Sequence, residues 1–213
     1  VENSFLKTIK SEKWYNQNNV NFQNYIRDYN TLMFGNAIMR QVRVKKGMHM
    51  LISLMFSMKK IYLLFKFNKE SCQSTKIVQD CFEEYGVFNR EERNFSLSWK
   101  EYNSSYVSSN KKVYEAFQYK KASDLDGYPY FGIYTTYMGG GYTYTINTSS
   151  TINEISFDFN KLRSFNWLDQ NSRALFVEFS LFNPNLNIFV YCTILFEILP
   201  TGNLLNTFQF IPF

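Results

Sequence analysis

The sequence predicts an α+β fold, in which an antiparallel β-sheet carries helices packed on one face and ends in a long C-terminal β-hairpin. Three observations predict it. From Asn166 to Pro200 the chain alternates with period two: Leu175, Val177, Phe179 and Leu181 fall on one face, and Phe176, Glu178, Ser180 and Phe182 on the other. After the Asn-Pro-Asn-Leu-Asn break, Ile188, Val190, Cys192, Ile194, Phe196 and Ile198 form a wholly apolar face opposite a mixed one that includes Thr193 and Glu197. Just upstream, Thr151-Ile-Asn-Glu154 matches a capping box, and Ile152, Ile155, Phe159, Leu162 and Phe165 recur at helical spacing behind it. Finally, 16 Tyr and 22 Phe suit broad, half-buried strand faces and exclude a disordered chain.

Taken from the N-terminus, Phe22, Tyr25, Ile26, Tyr29, Leu32 and Met33 recur at three- and four-residue steps and predict an amphipathic helix. Gly35-Asn36 should break it, and alternation from Ile38 to Val44 reads as a strand. Residues 48–67 are apolar enough to suggest a membrane span, but Lys59-Lys60 near the middle would cost about 2.5 to 3.5 kcal/mol each, so a spanning helix is rejected. Tyr85 to Ser123 is polar and turn-rich, with short extended pieces expected around Val113 to Tyr119. Tyr130–Tyr137 and Tyr142–Ile146 then read as two strands flanking Gly139-Gly140-Gly141. Without a following Lys-Ser/Thr or a helix start, that glycine run is a hairpin turn rather than a phosphate cradle.

No Pro/Gly/Ser-rich linker or charge block divides the 213 residues, so one domain over 1–213 is expected. The net charge of +5 is scattered in pairs such as Lys45-Lys46 and Lys111-Lys112, which fits solvated edges and predicts no nucleic-acid partner. The first residues lack the apolar stretch and cleavage site of a signal peptide, so secretion is not expected to be encoded within these residues.

Arg40-Gln41-Val42-Arg43-Val44, Ser71-Cys72 to Cys81, Gly127-Tyr128-Pro129, Tyr137 with Gly139-Gly140-Gly141-Tyr142, and Trp167-Leu168-Asp169 appear in that order. Ser172-Arg173-Ala174, Phe176, Glu178-Phe179, Asn183, Asn185, Asn187 and Thr201-Gly202 follow. Together these motifs, spread over residues 33 to 210, resemble the polycystin domain of the polycystin family. The resemblance implies an extracellular module between the first two transmembrane helices of a channel subunit. Ser98-Trp99 and Tyr128-Pro129-Tyr130 are closer to the receptor-like polycystin-1 branch than to polycystin-2. Residues 48–69 then read as an insertion, either a lineage-specific excursion or translated non-coding sequence.

The resemblance further implies a disulfide between Cys72 and Cys81. In one straight helix those positions would lie about 13 Å apart along the axis, so a bridge requires a folded-back loop, with two reduced thiols as the alternative. Cys192 reads as a buried small hydrophobe. Sequons at Asn94, Asn103 and Asn147 are glycan acceptors if the chain is extracellular.

Catalytic chemistry finds little support. The single histidine, His49, falls in the suspected insertion, so no Ser-His-Asp triad or His-based metal site can be assembled. Asp124-Leu-Asp126-Gly127 lacks the later positions of a calcium loop and reads as a turn. The adjacent carboxylates Glu83-Glu84 and Glu91-Glu92 read as solvated faces. No enzyme activity, cofactor or metal is expected.

By resemblance, the expected role is a non-catalytic, disulfide-bonded glycoprotein domain of a calcium-permeable cation channel. It would assemble with other polycystin subunits as a homo- or heterotetramer above the pore and couple external signals to gating, in the plasma or ciliary membrane. The rival is a secreted soluble adhesion or ligand-binding domain. The channel reading expects apolar segments of about 20 residues soon before Val1 and soon after Phe213 in the gene product.

Overall fold

The computed structural model describes residues 26, 30–46, 84–102 and 111–213. In chain order the elements are β1 (Leu32–Arg43), β2 (Phe95–Ser96), β3 (Lys100–Glu101), α1 (Lys111–Glu115), β4 (Tyr119–Lys120), β5 (Tyr130–Phe131) and β6 (Thr136–Tyr137). They are followed by β7 (Gly141–Ile146), α2 (Ile152–Ser164), β8 (Ser172–Asn183), β9 (Ile188–Ile198) and β10 (Leu204–Pro212). Six strands form one sheet in the order β10-β9-β8-β1-β7-β4, and β2–β3 and β5–β6 are separate two-stranded ribbons. Every pairing among the described residues is antiparallel.

The sheet is covered on both faces. On one, Met33, Ala37, Tyr144 and Ile146 pack with Ile155, Phe159 and Leu162 of α2, and Val113, Ala116, Phe117 and Trp167 complete this core. The capping box forms as predicted: Thr151 Oγ1 accepts from Glu154 N at 3.3 Å while Glu154 Oε2 accepts from Thr151 N at 2.9 Å. On the other face, Val42, Val44, Ala174, Phe176 and Leu195 lie beneath Tyr85 and Tyr137. Two irregular pieces supply that cover, the 84–90 turn and the β5–β6 ribbon.

Five secondary-structure expectations need correction. Tyr130–Tyr137 is not one strand but a ribbon folded back on itself, Tyr130 pairing with Tyr137 and Phe131 with Thr136, because the chain turns over residues 132–135. Leu32 and Met33 belong to β1, paired with Phe182 and Leu181, rather than to a helix; most of the segment read as that helix lies outside the described residues. Gly35, at φ +75°, sits in a register shift between Phe34 and Ile38, so it makes a bulge inside one strand rather than a break before it. Val113 lies in α1 and is buried in the helical core, leaving only Tyr119–Lys120 extended. The glycine run is no hairpin turn, because β6 pairs with β5 while β7 pairs with β1 and β4. Its glycines serve close approach instead: a Cβ on Gly139 would collide with the backbone of Gly127, and one on Gly141 with Gln41 O at 2.6 Å.

The C-terminal hairpin is confirmed, with a difference of face. Of the apolar side of β9 only Cys192 is fully buried, whereas Thr193, Leu195 and Glu197 on the mixed side are all buried. The β5–β6 ribbon covers the mixed side, and period-two alternation cannot register a cover supplied from elsewhere in the chain. A tight turn with Gly202 at φ +88° then returns the chain along β9 as β10, a strand the alternation did not reveal.

Thr151→Ala should lower stability by about 1 kcal/mol in urea unfolding. Gly139→Ala should cost clearly more, because the obstructing atoms are backbone and cannot swing aside.

Candidate interaction surface

Motif residues far apart in sequence meet in one buried polar cluster. Arg43 donates to both carboxylate oxygens of Asp169, at 2.6 and 2.8 Å, the paired geometry of a guanidinium on a carboxylate. Its guanidinium carbon lies 3.3 Å from the ring centroid of Trp99. Burial pulls the Arg43 pKa below its usual value, and the Asp169 carboxylate opposes that shift. Asp169 Oδ1 also accepts from Asn171 N at 3.0 Å, and Ser172 Oγ accepts from Asp169 N at 3.0 Å and from Gln41 Nε2.

Two of the three tryptophans, Trp99 and Trp167, pin the loops around this cluster. Trp167 Nε1 donates to Ala116 O at 2.7 Å, and Trp99 Nε1 to Asn166 O at 2.8 Å. Trp99 holds a left-handed φ of 58°, sparsely allowed for a bulky residue, and that backbone places its ring against Arg43, Phe117 and Tyr142.

A second carboxylate organises the opposite face. Glu197, fully buried on β9, accepts from the backbone N–H groups of Ile133 at 2.8 Å, Tyr134 at 3.0 Å and Thr135 at 3.4 Å. Those amides form the turn of the β5–β6 ribbon, so one side chain clamps the whole ribbon to the sheet. Gly132 is required there, since a Cβ would strike the Glu197 carboxylate. Beside it, Arg40 bridges Glu178 at 3.1 Å, donates to Met138 O at 3.1 Å and lies over the Phe176 ring at 3.9 Å.

Glu91 is buried rather than solvated, which corrects its expected role. It accepts from Arg93 Nε at 2.9 Å and Nη2 at 2.7 Å. Burial raises its pKa, but the hydrogen bonds and charge of Arg93 outweigh burial and leave it lowered from the usual 4.5. Glu92 does face outward, paired with Arg90 at 2.6 Å.

Of the sequence-predicted site residues, Cys72, Cys81, Asn103 and His49 lie outside the described residues. Asn94 is exposed, and its Oδ1 accepts from Tyr119 N at 2.9 Å. Asn147 is half-buried in the turn between β7 and α2. Cys192 is buried in the sheet, and burial pushes its thiol pKa up. Asp124 accepts from Lys121 N at 3.2 Å and Ser123 Oγ at 3.1 Å, serving its own turn. Among the described residues no three His, Cys, Asp or Glu side chains gather as metal ligands would.

What the surface does present is exposed apolar area. Phe88 projects from the 84–90 turn, Tyr128, Phe131 and Ile133 from the clamped ribbon and the chain entering it, and Leu204, Phe208 and Phe210 from β10. Such patches are the usual material of protein contacts.

A family model of the polycystin domain matches residues 1–213. The chain belongs to the polycystin-domain family. Over 199 residues, 92% of the chain, it is 30% identical to the Caenorhabditis elegans protein named Location of vulva defective 1, of which this is 5%. Polycystin-2 of Danio rerio is 27% identical over 214 residues, 99% of the chain and 19% of that relative. Polycystin-1-like protein 3 of Mus musculus is 28% identical over 190 residues, 88% of the chain and 7% of that relative. The polycystin domain described here thus spans less than a fifth of each of these proteins. Identity does not favour either branch.

Within the polycystin domain, Glu197 and Trp99 are organising residues that the sequence showed only as a member of a mixed strand face and as part of a branch motif. A lone carboxylate in an otherwise uncharged strand was the available signal for Glu197.

Asp169→Asn should destabilise the domain by about 3 to 5 kcal/mol, since it leaves the buried Arg43 without its counter-charge. Glu197→Gln puts an N–H donor against N–H donors, so amide exchange at Ile133 and Tyr134 should accelerate, with a loss of about 2 kcal/mol. A lowered carboxylate pKa contributes stability that is present above the unfolded value and lost as pH falls through the folded one. Acid unfolding of Glu91→Gln should therefore be shallower below about pH 4.5 than that of the wild type.

Proposed function

We propose that this chain is the extracellular domain of a polycystin-type, calcium-permeable cation-channel subunit, a non-catalytic module. It sits above the pore, contacts other polycystin subunits in a homo- or heterotetramer, and passes external signals to the gate. The observation that carries this reading is the match of the family model to all 213 residues. The exposed aromatic groups supply material for subunit contact, and the ion pairs Arg40–Glu178 and Arg43–Asp169 tie segments far apart in the chain to one another. In an oxidising compartment Cys72 and Cys81 form the disulfide, and Asn94, Asn103 and Asn147 carry glycans. The full-length protein resides in the plasma or ciliary membrane.

Peptide mass spectrometry of the chain made in a secretory host should find the Cys72–Cys81 bridge and glycans at the three sequons. Reduced thiols together with unmodified asparagines would overturn the extracellular placement. For the channel role, the full-length gene product purified in detergent should show a four-subunit mass and support calcium flux. Replacing Asp169 by Asn should reduce assembly; a monomeric, flux-inactive full-length wild type would sink the reading.

A further inference from the structure

The free edge of the sheet at β10 is built for pairing with a second copy of itself. Phe189 and Phe213 exchange both backbone hydrogen bonds, at 3.3 and 3.0 Å, and Leu199 N donates to Asn203 O at 2.9 Å. The β9–β10 register runs without a shift from Leu204↔Ile198 to Pro212↔Val190. Odd-numbered residues of β10 therefore turn their N–H and C=O groups toward β9, and Leu204, Asn206, Phe208, Phe210 and Pro212 turn theirs outward. Among the described residues nothing pairs with that edge.

An edge of this kind is normally blunted by charge, brevity or bulges. The opposite edge, β4, is only two residues long. By contrast β10 has nine residues, and no Lys, Arg, His, Asp or Glu occurs from Ile198 to Phe213. Leu204, Phe208 and Phe210 are 60, 62 and 60% exposed and share one face.

We propose that β10 pairs antiparallel with β10 of a second copy about a two-fold axis at Phe208, joining two sheets into one. Of the possible centres, Phe208 is the one that pairs all five outward residues of β10. Centred on Phe208, the pairs are Phe208↔Phe208, Asn206↔Phe210 and Leu204↔Pro212. Pro212, the one outward residue without an N–H, falls at the outer end, where its carbonyl still accepts from Leu204. Every outward N–H thus finds a carbonyl, and the uncharged strands meet without repulsion. The contact is isologous, distinct from the tetrameric assembly above, and does not rest on the channel reading.

Sedimentation of the 213-residue chain over a micromolar concentration series should show a reversible dimer. Phe208→Pro removes an outward N–H and leaves the β9 ladder intact, so it should weaken dimerisation at least about tenfold with unchanged circular dichroism. Residues paired at 208 would have Cα atoms about 5.5 Å apart, within disulfide range. With oxidised glutathione, Phe208→Cys should form a covalent dimer that neither wild type nor Phe210→Cys forms. A wild type that stays monomeric, or equal cross-linking at 208 and 210, overturns the proposal; so does a dimer indifferent to Phe208→Pro whose Phe208→Cys form does not cross-link.

Discussion

The pairing of Arg43 with Asp169 is the constraint on which the rest of this domain depends. It joins the end of β1 to the segment between α2 and β8, 126 residues further along the chain. A buried guanidinium without a counter-charge is too costly to persist, so the pair requires both elements to be in place at once. Trp99 closes one side of the guanidinium, and that fixes the loop carrying it against Phe117 and Tyr142. Helix, sheet and loop are thereby referred to a single point.

The opposite face follows the same logic with a different acceptor. Three backbone amides in a tight turn make a ready anion site, and Glu197 fills it with a carboxylate fixed to a central strand. The ribbon has only two residues in each strand and could not hold its shape alone. Its order is borrowed from the sheet. Arg40 reinforces that arrangement by holding Met138 O, just past the end of β6.

Much of this was legible in the sequence, and the boundary is instructive. The capping box at Thr151, the stripe of Ile155, Phe159 and Leu162, and the alternation through β8 depend on neighbours three or four residues away or directly across a strand, and all appeared as read. The faces of β9 did not, because what covers Glu197 arrives from residues 133–135. Gly139 was legible as a special position but not as the partner of Gly127, since spacing carries no information about which backbone comes close. At the polar cluster, Arg43 and Asp169 were each part of a recognised motif, and only the fold shows that the motifs touch.

The Glu197 clamp has a consequence for biosynthesis. The amide of Ile133 waits for a carboxylate 64 residues downstream. At translation rates of about 5 to 20 residues per second, the ribbon emerges roughly 3 to 13 s before its clamp has been made. During that interval Phe131, Ile133 and Tyr134 belong to a nascent segment with no fixed seat. A strand that leaves the ribosome later therefore completes a structure begun much earlier, and a chain truncated before residue 197 would lose order in a part of the domain it still contains.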